Sequence, residues 1–215
     1  SDLPHMFPSS EVFFSFTNKY GINKRSKIVI YDQIGFFSSS RVWFMFKYFG
    51  FENVAILDGG FKTWKQRRYK LEISKKKIKY SQCYGRNSFP SIVVDLRTLK
   101  KKISNKKIII IDARPSLRFN GKVPEPRPNL KKGKIQSSIN ICFSLISDDN
   151  GLFKKNVRLN DIFKNLNKNK EIICYCGSGI TACNILFALN IMNFKNLKLY
   201  DGSWAEWGKI KKLQS

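Results

Sequence analysis

Two stretches far apart in this chain follow the same plan, and that repeat restricts the fold more than any other feature. Lys27-Ile28-Val29-Ile30-Tyr31-Asp32 is a short apolar run ending in Tyr and a polar residue, and Glu171-Ile172-Ile173-Cys174-Tyr175-Cys176 answers it, which pairs Asp32 with Cys176. Runs of this length and composition predict buried strands. Each is followed by an amphipathic segment of helical period, Arg41 to Phe49 and Ala182 to Met192, and then by a second short strand, Val54 to Leu57 and Leu197 to Tyr200. A signature closes each copy: Asp58-Gly59-Gly60-Phe61-Lys62-Thr63-Trp64 in the first and Asp201-Gly202-Ser203-Trp204-Ala205-Glu206-Trp207 in the second. Strands and helices in alternation demand a mostly parallel sheet with helices on both faces, so the fold class is α/β, and the repeat implies two such domains. The Asp-Gly pairs and the tryptophans are expected to be structural, a tight turn and aromatic anchors.

The second copy has a further strand upstream, Ile108 to Asp112 followed by Ala113-Arg114, for which the first copy has no room: only 31 residues precede Asp32 and the chain opens on Ser1. The expectation is a first domain over residues 1–73 that lacks its opening part, a basic aperiodic linker over 74–88, and a second domain over 89–215.

Composition sets the environment. Forty Lys and Arg against 15 Asp and Glu give a net charge of +25, while 42% hydrophobic residues are enough for a packed core. Such a charge can attract nucleic acid, anionic membrane or acidic small molecules. No zinc-finger, helix-turn-helix or RNA-recognition signature accompanies it, so the lysine runs are read as a solvated basic surface and no nucleic-acid partner is expected. Five cysteines, Cys83, Cys142, Cys174, Cys176 and Cys183, form neither a disulfide framework nor paired zinc ligands, and His5 is the sole histidine, so no metal is expected. With no apolar run near the ~18 residues of a bilayer span and no leader pattern, the chain is expected to be soluble, cytoplasmic and without a membrane partner.

Cys176 ends a strand and opens the loop Cys176-Gly177-Ser178-Gly179-Ile180-Thr181, which leads into a helix. Ligands of open α/β sheets bind at this place. Glycines allow successive backbone N–H groups to turn inward as an anion nest, and the helix adds its positive end, an environment that favours a thiolate. A phosphatase needs an Arg six residues beyond its Cys to hold the phosphoryl oxygens, and Ala182 stands there, which removes phosphatase and arsenate chemistry. Cys174 alternates with Cys176 along the strand and is read as a small buried hydrophobe.

These residues resemble the rhodanese superfamily, and within it the two-domain 3-mercaptopyruvate sulfurtransferases. The resemblance covers nearly the whole chain. In that family an inactive first domain carries Asp where the second carries its nucleophile, as Asp32 does against Cys176. The loop Cys-Gly-Ser/Thr-Gly-Val-Thr-Ala is matched with one conservative change, at Ile180. Thiosulfate-preferring relatives have two cations in the loop where Gly177 and Ser178 stand, so the resemblance implies 3-mercaptopyruvate as donor. The segment Arg118-Phe119-Asn120-Gly121-Lys122-Val123-Pro124-Glu125-Pro126-Arg127 looks like the family's substrate arginines, whose guanidinium forks suit a planar carboxylate.

The resemblance further implies Cys176 as nucleophile, Ser178 and His5 as parts of a proton relay, and Arg118, Arg127, Gly177, Gly179, Ile180 and Thr181 as the binding site. No cofactor is implied. The partners would be a small-molecule sulfur donor and a thiol acceptor such as thioredoxin, or cyanide. The relay's Asp has no counterpart here, and Gly133-Lys134-Ile135-Gln136-Ser137 departs from the family's Gly-His-Ile-Pro-Gly turn. The alternatives are a thiosulfate sulfurtransferase and a degenerate sulfur-carrying module with little turnover; a protein serving tRNA thiolation rests on net charge alone.

Overall fold

The computed structural model describes residues 2–74, 77, 78, 80 and 92–209. The linker expected over 74–88 therefore lies mostly outside the described residues, as does Cys83. The described chain runs α1 (Ser10–Lys19), β1 (Ile28–Ile30), α2 (Ser39–Tyr48), β2 (Val54–Ile56), α3 (Gly60–Gln66), β3 (Val93–Val94), α4 (Leu96–Lys102), β4 (Ile108–Asp112), α5 (Ser116–Phe119), β5 (Ser138–Asn140), a 3₁₀ turn (Phe143–Ile146), α6 (Asn156–Phe163), β6 (Glu171–Tyr175), α7 (Ala182–Ile191), β7 (Leu197–Tyr200) and α8 (Ser203–Trp207).

Two compact units divide it, and their boundaries differ from the continuous ones expected from the sequence. One unit takes Ser1–Met6, Ser91–Asp148 and Lys154–Ser215; the other takes Phe7–Pro90 and Asp149–Phe153. The exchange of Asp149–Phe153 has a local cause. Gly35 and Gly151 lie so close that a Cβ on Gly35 would stand 2.6 Å from the Gly151 carbonyl oxygen. Next to them the Phe36 and Phe153 rings are 5.1 Å apart, and Asp58 Oδ1 accepts the Phe153 N–H at 2.7 Å. A short polar segment with no periodicity gave no sign of which core it would join.

In the Cys176 unit five parallel strands lie in the order β3-β7-β6-β4-β5. From β4 the chain first steps outward to β5, then returns past β4 to β6 and continues to β7. The switch point of the sheet thus falls between β4 and β6, where loops leave in opposite directions and open a crevice at the carboxyl ends. β6 is the central strand; Ile172, Ile173, Cys174 and Tyr175 are all 0% exposed, as an apolar run covered on both faces requires. Val94, Leu99, Ile110, Ile135, Ile173, Tyr175, Tyr200 and Trp204 form one core cluster.

In the Asp32 unit the described sheet is the parallel pair β1-β2, packed with aromatic residues such as Phe13, Phe46, Phe49 and Phe51. The repeat extends to single hydrogen bonds. Phe61 N–H donates to the Asp32 carbonyl at 2.9 Å, and Trp204 N–H donates to the Cys176 carbonyl at 2.9 Å. The closing signature therefore clamps the strand-end residue in each copy. The residue before each donor has a left-handed backbone, Gly60 at φ 56 and Ser203 at φ 52. Three residues after Asp32 and after Cys176 stand Gly35 (φ 116) and Gly179 (φ 80), which turn both loops inward.

What the first loop encloses is the Asp32 carboxylate. Its Oδ1 accepts N–H bonds from Ile34 (3.1 Å) and Gly35 (2.7 Å), and its Oδ2 accepts from Phe37 (2.9 Å), Ser38 (2.9 Å) and Ser39 (3.1 Å). Burial alone would raise its pKa, but the amides of Ser38, Ser39, Phe37 and Gly35 outweigh burial and hold it below the usual carboxylate value. A depressed carboxylate pKa contributes stability above the unfolded value of about 3.9, and that stability is lost as pH falls through the folded value. Asp32→Ala is expected to destabilise the chain by on the order of 2 kcal/mol at pH 7. In urea titrations its deficit against wild type should shrink as pH is lowered below about 4; an equal deficit at pH 7 and pH 3 would refute the assignment.

Candidate active site

Cys176 follows β6 directly, is 1% exposed, and opens the loop that leads into α7 six residues later. Its amide donates to Ser203 Oγ at 3.1 Å, and that hydroxyl donates onward to the Tyr200 carbonyl at 2.9 Å. Ala205 N–H holds the next carbonyl, that of Gly177, at 2.9 Å. The loop is thus fixed from the α8 side, with Cys183 Sγ on the Gly179 carbonyl at 3.3 Å from the α7 side. Cys174 is fully buried and its thiol is pushed well above its ordinary pKa, first by burial and then by the Cys183 and Cys176 thiols nearby. It has the character of an inert core residue.

The loop after β4 brings the arginines. A Cβ added to Gly177 would lie 3.1 Å from Arg118 Nη2 and 3.8 Å from Arg127 Nη1, so both guanidinium groups converge on the residue after Cys176. Arg127 Nη2 donates to Ser178 Oγ at 3.3 Å. His5 Nδ1 lies 2.9 Å from the same Ser178 oxygen. His5 holds a left-handed backbone, φ 63, which a non-glycine residue adopts at a cost, and such strain concentrates at functional sites. A cleft of about 390 Å³ opens beside Arg127, with Leu3, Pro4, Leu130 and Lys209 also on its walls. Cys176, Gly177, Ser178, Arg118, Arg127 and His5 are therefore brought together. Ile180 and Thr181 form the half-buried turn into α7, where their carbonyls accept from Cys183 (3.1 Å) and Asn184 (3.2 Å).

Four residues gained no role from the sequence: Glu125, Arg114, Asp112 and Ser203. Glu125 accepts from Arg114 Nη1 at 2.7 Å and also pairs with the Arg118 guanidinium; its side chain is 1% exposed. Arg114, itself buried, is anchored on the other side by Asp112, with Nη2 to Oδ2 at 2.5 Å and Nε to both oxygens at 3.0 Å. An acid and an arginine two residues apart share one side of an extended chain, so Asp112 and Arg114 carried a legible signal. Glu125 and Ser203 did not, because their partners are distant in sequence.

The family model of the rhodanese-like domain matches residues 4–67 and 95–210. The chain belongs to the rhodanese-like family. The 3-mercaptopyruvate sulfurtransferase of Escherichia coli strain K12 is 36% identical over 210 residues, which cover 97% of this chain and 74% of that relative. Arabidopsis thaliana has a mitochondrial relative named thiosulfate/3-mercaptopyruvate sulfurtransferase 1, 33% identical over 96% of this chain and 60% of its own length. Among solved structures, SseA from Escherichia coli, titled as a 3-mercaptopyruvate sulfotransferase, superposes with a TM-score of 0.79 at 34% identity over 95% of this chain and 76% of that one. In this rhodanese-like chain both copies of the repeat fall within the matched ranges, and Cys176 with its clamp lies in the second.

The clamp can be tested through stability. Ser203 combines a left-handed backbone, unfavourable for any side chain, with a buried hydrogen bond to Cys176. Ser203→Gly loses the bond and relieves the strain, so it should change stability by less than about 1 kcal/mol. Ser203→Ala keeps the strain without the bond and should cost about 1–3 kcal/mol. Denaturant unfolding in which alanine is no worse than glycine would remove this account.

Proposed function

We propose that this chain is a sulfurtransferase that takes the sulfur of 3-mercaptopyruvate onto Cys176 and hands it to a thiol acceptor, releasing pyruvate. The observation that carries the reading is the convergence of two arginines on Gly177 beside a nucleophile held at the sheet's switch point. The donor is a small keto acid whose carboxylate and keto oxygen suit two guanidinium forks.

In the first half-reaction the Cys176 thiolate attacks the donor's thiol sulfur. The donor's C–S bond breaks, and its electron pair passes to carbon as the pyruvate enolate, whose developing oxyanion is stabilised by Arg118 and Arg127. A proton then reaches the enolate carbon; Ser178, hydrogen-bonded to His5, is the relay assigned to that transfer. The inner sulfur of the new persulfide is that of Cys176, at the head of the glycine-bearing loop. In the second half-reaction an acceptor thiolate attacks the outer sulfur and regenerates the Cys176 thiolate. With a dithiol acceptor such as thioredoxin, the second thiol closes a disulfide and the sulfur leaves as hydrogen sulfide. Cyanide would accept the same atom as thiocyanate. This cycle belongs in a reducing compartment such as the cytoplasm, where thiol acceptors are maintained. Among the described residues no helix is long and apolar enough to cross a membrane.

Gly177 supports 3-mercaptopyruvate over thiosulfate. A cationic side chain there would start 3.1 Å from Arg118 Nη2, placing like charge against like charge. Glu125 is assigned as the positioning residue for Arg118, because it holds Nε and Nη2 of that guanidinium, and Nη2 is also its atom nearest Gly177.

Pyruvate and sulfide release from 3-mercaptopyruvate with a thiol acceptor, compared with thiocyanate formation from thiosulfate and cyanide, tests the reading. Cys176→Ser should lose turnover with both donors. Glu125→Gln should lower kcat/KM for 3-mercaptopyruvate on the order of tenfold, through kcat as well as KM, since it loosens an arginine that both binds the donor and stabilises the developing enolate. A folded wild type that turns over neither donor would leave the degenerate carrier as the function.

A further inference from the structure

The lysine runs look dispersed along the sequence, but a parallel sheet gathers them. Every strand of the Cys176 sheet starts at the same edge, so the segments leading into β4, β6 and β7 lie side by side there. The first segment brings Lys100, Lys101 and Lys102 at the end of α4, then Lys106 and Lys107. The second brings Lys164, Lys168 and Lys170, and the third brings Lys195. Between these lysines stand mainly asparagines, including Asn105, Asn167, Asn169 and Asn196.

Contacts tie the three segments together. Lys170 Nζ donates to the Lys106 carbonyl at 2.8 Å, and Lys168 Nζ donates to the Met192 carbonyl at 3.0 Å. Glu171 pairs with Lys102 at 2.6 Å and with Lys198 at 2.9 Å. Helix C-termini attract cations, and that accounts for Lys168 on α7. It applies also to Lys100 and Lys101 in the last turn of α4 and to Lys164 at the end of α6, but not to Lys106, Lys107 and Lys195, and all six of these residues are exposed. Across these segments, 100–107, 164–171 and 193–198, Glu171 is the one acidic residue, and it is already shared by two lysines.

We propose that this amino-terminal edge of the Cys176 sheet is a docking surface for the phosphate backbone of a nucleic-acid duplex. Three adjacent strands place the loops across about 10 Å, and a duplex carries one charge per ~1.7 Å of axis, so several phosphates face the patch at once. Lysine suits this as a mobile point charge, and asparagine adds neutral hydrogen bonds to phosphate and sugar. The exposed residues of the edge are Lys, Asn and Ser rather than aromatic. That disfavours stacking on bases, insertion into a bilayer, and a protein partner, whose interface core wants apolar anchors and is depleted in lysine. The edge is five strand residues, or about 16 Å, from the Cys176 loop, so an occupied edge leaves the sulfur site open.

The test uses the whole chain and a fluorescein-labelled RNA duplex, with fluorescence anisotropy read between about 50 and about 200 mM salt. Replacing Lys100, Lys101, Lys106 and Lys107 by Glu is compared with the same charge change on the other unit, at Lys62, Lys65, Arg67 and Lys70. The edge variant should bind at least about tenfold more weakly, with a log–log salt slope shallower by about three to four, while the control stays within about threefold of wild type. Pyruvate release by the edge variant should match wild type, which shows that it is folded and separates this outcome from failure of the sulfurtransferase reading. Equal binding of a DNA duplex supports a shared phosphate backbone as the ligand, and preference for RNA supports it with a sugar contact added. Equal losses in both variants, no binding by wild type, or equal edge-dependent binding to vesicles rich in phosphatidylserine would each overturn the proposal.

Discussion

A buried line of alternating charge holds the arginine side of this site: Asp112, Arg114, Glu125 and Arg118, in that order. Its inner members are out of water, and a charge there is tolerated only when neighbours neutralise and hydrogen-bond it. Each link meets that condition for the next. Asp112 ends the strand beside β6, Arg114 lies against the Trp204 ring at 4.2 Å, and Glu125 ties a proline-rich loop down onto both arginines. Arg118 takes a fixed position near Gly177 from this buried line. A loop held by solvent-exposed contacts would not aim a guanidinium within the tolerance that anion recognition needs.

The duplication gives an internal comparison of what such a nest is for. One backbone plan occurs twice: a left-handed glycine at the third loop position, a helix start, and an N–H clamp on the strand-end carbonyl. In the first copy the negative charge is a carboxylate that the amides hold permanently. In the second the matching position is held by Cys176, the sulfur carrier proposed above. A carboxylate fills its cradle and cannot transfer anything, so the first copy has turned an anion site into a structural bond. The same substitution explains the difference between Gly60 and Ser203. Only the second copy needs its strand-end amide held by a side chain, and serine bears the left-handed backbone there in exchange for that hydrogen bond.

Features carried by local pattern were legible in the sequence. The strands and helices of the repeat lie within a residue or two of their apolar periods, Asp32 and Cys176 occupy matching loops, and the two arginines of the Arg118 to Arg127 segment do converge on the Cys176 loop. Features set by distant partners were not legible. Nothing near Glu125 in the chain says that it bridges two arginines, and nothing near Asp149–Phe153 says that Gly151 fits against Gly35. The lysine runs belong with these. Read along the chain they are dilute, whereas the parallel topology stacks their segments at one edge.

That topology separates two electrostatic tasks within one unit. Helix starts and loop amides collect at the carboxyl edge, where inward-turned N–H groups and buried-line arginines make a small, geometrically fixed positive site. Helix ends and lysine-rich turns collect at the amino edge, where charge is exposed, mobile and screened by salt over about 10 Å. The first suits a small anion such as the keto acid proposed above, because fixed dipoles and guanidinium forks discriminate by shape. The second suits an extended polyanion, because flexible ammonium groups follow a backbone without demanding a register. Placing them at opposite ends of the strands keeps a broad cationic field from crowding the Cys176 loop, where Arg118 already approaches Gly177.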